Sequence, residues 1–129
     1  MKIKLLFIIS FFALLFLSSN INAQTMVFST GVGSDCAPQG TGTSFALGKA
    51  GTKIYAIVNL TSDLPDTSSV TFQVFKDGQY DFSSTIDLPA KTNCYWVDLV
   101  FYKAAAWTIK AIDPNGNMIA SGTVNVTSN

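Results

Sequence analysis

The chain contains no histidine, no arginine and no glutamate; all eight of its basic residues are lysine and all eight of its acids are aspartate. These absences exclude whole classes of chemistry. A Ser-His-Asp or Cys-His arrangement needs an imidazole base. Histidine zinc sites are excluded too, and two cysteines cannot complete a structural tetrahedron. Without a guanidinium there is no bidentate clamp for phosphate or carboxylate. Charged residues make up only 12% of the chain, and the lysines are scattered, so no basic stripe for nucleic acid exists. Paired carboxylates remain available through Asp alone. An Asp-dependent hydrolase needs two such side chains facing one cleft, and no spacing here suggests one. The expectation is a non-catalytic protein that uses no cofactor.

Long apolar runs are confined to the start. Lys2 and Lys4 precede an apolar stretch from Leu5 to Leu17, interrupted only by Ser10, and Ser18, Ser19 and Asn20 lead into Ile21-Asn22-Ala23. The stretch is shorter than the roughly 20 residues a spanning helix needs. This pattern is that of a secretory signal peptide, residues 1–23, with cleavage expected after Ala23. No membrane span is expected after cleavage. Residues 24–129 then form one small domain with six Lys, eight Asp and a formal charge of −2. A periplasmic or extracellular location follows. There, Cys36 and Cys94 are expected to form a disulfide, with two free thiols as the alternative. The bond would close a loop of about 59 residues, which the chain-entropy model values at roughly 4 kcal/mol.

Helical periodicity is missing after residue 23. Period-2 alternation recurs instead, broken by turn residues. Strands are expected at 25–29, 43–47, 54–60, 70–75, 80–86, 94–102, 107–112 and 118–126. The segment 31–42, rich in Gly and carrying Cys36 and Pro38, reads as a loop. Two hairpins allow a test of register. For 70–75 with 80–86, a two-residue Asp77-Gly78 turn sets Val74 against Asp81. A three-residue loop, Lys76 to Gly78, sets Val74 against Tyr80 and Phe72 against Phe82, which keeps apolar residues together. A type I turn with Gly78 in the left-handed region and a G1 bulge is therefore expected. For the last hairpin, a four-residue loop from Pro114 to Asn117 sets Trp107 opposite Val124, Ile109 opposite Gly122 and Ala111 opposite Ala120. Trp107 with Val124 is a favourable aromatic–β-branched pair.

Seven to eight short strands in about 100 residues argue for an all-β antiparallel sandwich. The stretch "WTIKAIDPNGNMIASGTVNV" (107–126) resembles the last two strands of bacterial immunoglobulin-like or fibronectin-III-like domains. In those, an aromatic opens an inward alternation, a D-x-x-G turn follows, and the final strand ends V-x-V. The resemblance implies an immunoglobulin-like β-sandwich. Cys36 precedes the main strands, so its bond to Cys94 would not be the inter-sheet bridge of antibody domains, and the Tyr-x-Cys corner of those domains is missing. Fold alone names no partner.

The densest chemistry lies in "CYWVDLVFY" (94–102), with four aromatics and one carboxylate. Tyr95, Val97, Leu99 and Phe101 alternate onto one apolar face that should point inward. Cys94, Trp96, Asp98, Val100 and Tyr102 share the other face, which must reach solvent because burying Asp98 unpaired is costly. Trp96, Asp98 and Tyr102 are the candidate ligand-binding residues: two aromatics and an acid could stack a sugar ring and hydrogen-bond its hydroxyls. Against this, a Cys36–Cys94 bond draws segment 31–42 across the same face, which would roof Trp96. A protein contact anchored by Trp96 or Tyr102 is the third possibility. "DPNGN" (113–117) spaces Asp113, Asn115 and Asn117 like a calcium loop but lacks a downstream acid, so it reads as a turn. Asp63 and Asp66 read as turn residues as well. Asn59 and Asn125 fit the glycosylation pattern, which matters only in a eukaryotic secretory route. The function expected is a secreted protein-interaction or adhesion module at the cell envelope, with a carbohydrate-binding module as the alternative; the partner is a protein or a surface glycan.

Overall fold

The computed structural model describes residues 24–128; the expected signal segment and its cleavage after Ala23 lie outside the described residues. The protein is all-β. Nine strands follow one another: β1 (Gln24–Val32), β2 (Pro38–Thr41), β3 (Ser44–Ala46), β4 (Thr52–Asn59), β5 (Ser68–Lys76), β6 (Gln79–Leu88), β7 (Cys94–Phe101), β8 (Ala105–Ile112) and β9 (Met118–Thr127), with a short 3-10 turn at Ser34–Cys36. Hydrogen bonding runs in the order β6-β5-β8-β9-β1-β4-β7, with β2 added to β1 and β3 added to β9. Most pairings are antiparallel, but β1 with β9 and β3 with β9 are parallel. The expected strands are therefore present. The additional one is β2, inside the segment expected to be a loop. Its Gly and Pro content hid a short ladder whose partner is β1.

β1 is the joint of the molecule. Gln24 and Thr25 pair with β9, Met26 to Ser29 pair with β4, and the end of the strand pairs with β2. The sheet curls so that β6-β5-β8-β9 faces β1-β4-β7 across one core. Phe72 of β5 meets Tyr95 of β7 edge-on at 6.0 Å, and Phe101 of β7 lies 4.7 Å from Trp107 of β8. The alternation read from sequence supplies the rest. Ile54, Ala56 and Val58 of β4, Val70 and Val74 of β5, and Ile109, Ala120 and Val124 are all at most 1% exposed. Burial of such side chains contributes roughly 1.5–3 kcal/mol each.

The last hairpin has the expected pairs: Trp107 opposite Val124, Ile109 opposite Gly122, Ala111 opposite Ala120. Asp113 fixes its turn. Oδ1 accepts hydrogen bonds from the backbone N–H of Asn115 (2.9 Å) and Asn117 (2.8 Å), which is an Asx turn. The β5–β6 hairpin differs from expectation. Lys76 pairs with Gln79, so the turn is the two residues Asp77 and Gly78. Both have positive φ, 49° and 87°, as a type I′ turn requires. The clash foreseen for that turn is removed by a bulge: Phe75 pairs with Tyr80 and Val74 with Phe82, leaving Asp81 as the extra residue. The apolar sets still meet, but Tyr80 is turned to the face of Phe75, away from the core. Its ring sits edge-on to that of Phe75 at 5.8 Å.

Candidate functional site

β7 carries the predicted site residues, and its two faces divide as the alternation demands. Tyr95, Val97, Leu99 and Phe101 are buried, whereas Trp96, Asp98 and Tyr102 are exposed. The disulfide between Cys36 and Cys94 is formed, with 6.2 Å between the Cα atoms. It brings the 3-10 turn onto β7. The turn contacts β7 but leaves Trp96 open. Ile57 of β4, directly opposite Trp96 and on the same outer face, has no exposure although it lies outside the main core. Trp96 itself remains 41% exposed. The reading in which Trp96 is roofed by its own chain is therefore corrected. Trp96, on a strand that ends the sheet path, keeps an open side.

The predicted trio does not converge. Six residues of strand separate Trp96 from Tyr102, about 20 Å at roughly 3.3 Å per residue. One sugar ring cannot lie on both. Trp96 instead meets the ring edge of Tyr55 at 5.3 Å, with an interplanar angle of 70°. Asp98, opposite Tyr55 in the ladder, has Lys53 Nζ 3.9 Å from its Oδ2, both side chains about half exposed. Such a pair contributes little in high dielectric.

Tyr102 belongs to a different constellation. A cleft of about 520 Å³ opens between the start of β6 and the end of β7, with Tyr80, Phe82, Tyr102 and Trp107 on its walls and Lys76, Asp81 and Lys103 at its rim. Tyr80 is 59% and Tyr102 71% exposed. The cleft is held rigid from beneath. Asp77 N–H donates to the Ala106 carbonyl at 2.9 Å, and Ala106 N–H donates to Asp77 Oδ1 at 3.0 Å, locking the β5–β6 turn to the chain entering β8. Trp107 Nε1 donates to the Lys103 carbonyl at 3.1 Å. Gly51 (φ 93°) lies so close beneath Tyr102 that a Cβ there would come within 2.9 Å of the ring. The reading from sequence found Tyr102 but missed Tyr80, because an unbulged hairpin places Tyr80 inward. Tyr55 was missed because only the buried face of β4 drew attention.

β6 and β7 end the seven-strand path, each paired on one side among the described residues; the short β2 and β3, off this path, have one partner each as well. β6 is interrupted by the bulge at Asp81 and carries Asp81 and Asp87. β7 pairs with β4 in unbroken register over all eight residues, contains no proline, and has one charge, Asp98, beside Lys53. By the usual devices that guard sheet edges, β6 is protected and β7 is open.

At the opposite end of the molecule, Tyr95 lines a second cavity of about 470 Å³. Its hydroxyl is buried and has no hydrogen-bond partner among the described residues. Burial pushes its pKa up to about 12.

No protein-family model matches this chain, and no curated protein matches it. Among solved structures, the chain is similar to an immunoglobulin-like protein from Pseudomonas aeruginosa, with 14% identity, a TM-score of 0.52, and coverage of 79% of this chain and 91% of that one. At that identity the likeness shows the fold alone, and the fold is immunoglobulin-like, as the C-terminal hairpin implied. Among the described residues no helix is long and apolar enough to cross a membrane.

Proposed function

We propose that the chain is a secreted, non-catalytic binding module whose partner is a protein. An extended segment of that partner adds a strand to the free edge of β7 and places an apolar side chain in the Tyr80–Tyr102 cleft. The two facing halves of the sheet act as the layers of an immunoglobulin-like sandwich, a rigid frame that presents this edge. The observation that carries the reading is the contrast between the two terminal strands: β6 is bulged and charged, β7 straight and nearly uncharged. Strand addition supplies main-chain hydrogen bonds, and a pocket beside the edge supplies specificity. The cleft is continuous with β7, since Val100, Phe101 and Tyr102 all line it. Exposed aromatics are what interface anchors are made of. The lack of His, Arg and Glu supports a role without catalysis, and the disulfide supports an oxidising location outside the cytoplasm.

The test is a photo-reactive aromatic amino acid in place of Tyr102, compared with the same group in place of Ser83 on β6, in the exporting cell. A discrete protein adduct at 102 and none at 83 is expected. Equal labelling at both positions sinks the reading. A glycan ligand is favoured by one observation, that Tyr80 and Tyr102 share their cleft with Gln79 and Asp81. It predicts retardation of the protein in polysaccharide gels, lost in Tyr80→Ala and Tyr102→Ala.

A further inference from the structure

We propose that the cavity at the other end of the molecule, lined by Tyr95, is a binding site for a small, uncharged, largely apolar molecule bearing one hydrogen-bond acceptor. This site is separate from the β7 edge and the Tyr80–Tyr102 cleft. Two connections line it: 60–67 between β4 and β5, and 113–117 between β8 and β9. Its apolar wall comes from Leu60, Leu64, Leu88, Met118 and Ile119. At about 470 Å³ it falls within the usual size of small-molecule sites.

Four observations bear on what it accepts. Tyr95 is only 4% exposed, its ring is held edge-on against Phe72, and its hydroxyl lacks a partner. The hydroxyl is closed off from the open cavity as it stands; leaving it unpaired is costly, so an acceptor that reaches it through a small shift of the cavity wall is rewarded. One wall is already held in place: Leu60 N–H donates to the Asn93 carbonyl, Leu64 N–H to the Thr92 carbonyl, and Lys91 N–H to the Leu64 carbonyl, at 2.8–2.9 Å. A wall ordered in advance lowers the ordering cost of binding. Finally, no lysine lines the cavity, and its one acid, Asp113, already accepts the N–H groups of Asn115 and Asn117. Nothing there would compensate a ligand charge, so the ligand is neutral.

The experiment is amide NMR of the exported, disulfide-bonded chain with two probes of matched shape, acetophenone and ethylbenzene, each at the same low-millimolar concentration. Only the first carries an acceptor. Shifts are expected at Leu64 and at 115–119, with acetophenone bound about two- to ten-fold more tightly, the worth of one hydrogen bond. In Tyr95→Phe that preference should vanish while ethylbenzene binding stays. The variant should fold with a thermal midpoint no lower than the wild type, because it removes an unpaired hydroxyl. The absence of shifts at these amides with either probe would overturn the proposal. So would an acetophenone preference that survives Tyr95→Phe, or a lowered midpoint, which would mean the hydroxyl already has a partner within the fold.

Discussion

The two strands that end the sheet solve the same problem differently. β6 hangs on β5 through a ladder broken at Asp81, and its own face toward the core is only half buried at Phe82, Ser84 and Ile86. β7 keeps an unbroken ladder with β4, buries four alternating side chains almost completely, and is fastened at its first residue by a disulfide. β6 is thus guarded against new pairing and loosely anchored, whereas β7 is unguarded and tightly anchored. A strand that must accept another chain without leaving its own sheet needs that second combination. A free edge alone would be a hazard. A free edge held on its inner face and at one end is a usable surface.

The largest expected effect probes the anchoring. Phe101 is 1% exposed and packs on Trp107. Phe101→Ala should cost about 3–5 kcal/mol in urea unfolding. Phe82→Ala, the comparable change on β6, removes a partly exposed ring and should cost less than half as much. Equal costs would erase the distinction between the strands. Next is the fastening. Cys36→Ser with Cys94→Ser should cost about 2–4 kcal/mol by the loop-entropy account. It should also free the turn tethered to β7, so the amides of residues 34–36 should exchange faster while those of β6 do not change.

A third experiment uses alkali. The pKa of Tyr95 is raised by burial from the ordinary 10 to about 12. The folded protein therefore holds this proton longer than the unfolded chain. The stability in question is full below about pH 10, declines as pH rises, and is lost by about pH 12. The part of the decline due to Tyr95 should disappear in Tyr95→Phe, measured by urea midpoints at stepped pH. A wild-type profile in Tyr95→Phe would show that this hydroxyl is not buried in the folded state.

How much of this comparison could be read before folding differs between the strands. The inner face of β7 was legible because Tyr95, Val97, Leu99 and Phe101 alternate without error, and a period of two has only one half-buried solution. The disulfide was legible from the expected export and the cysteine count. The exposure of Trp96 was not. It depends on where a Gly-rich segment settles after leaving β1, and nothing local to Trp96 encodes whether that segment covers it. The bulge on β6 was illegible for another reason. Alternation compares whole ladders, and a single extra residue at Asp81 lets a two-residue turn and a matched apolar face coexist. That one residue turned Tyr80 outward and created half of the cleft. The fold class was therefore carried by repeated pattern, while the candidate site depended on two local departures from it.

The smallest expected effect concerns the single charge on β7. Asp98 and Lys53 stand 3.9 Å apart and about half in water. Charge pairs at that exposure are typically worth about 0–1 kcal/mol, because solvent screens them and ordering two side chains costs entropy. Asp98→Asn should thus change the unfolding free energy by less than about 0.5 kcal/mol, with little dependence on salt. Such a result would mean that β7 owes its place to its inner face and its disulfide. A loss above about 1 kcal/mol would mean that the Lys53–Asp98 pair helps to hold the strand. The outer face would then be part of the anchor rather than open surface, and the contrast with β6 would narrow.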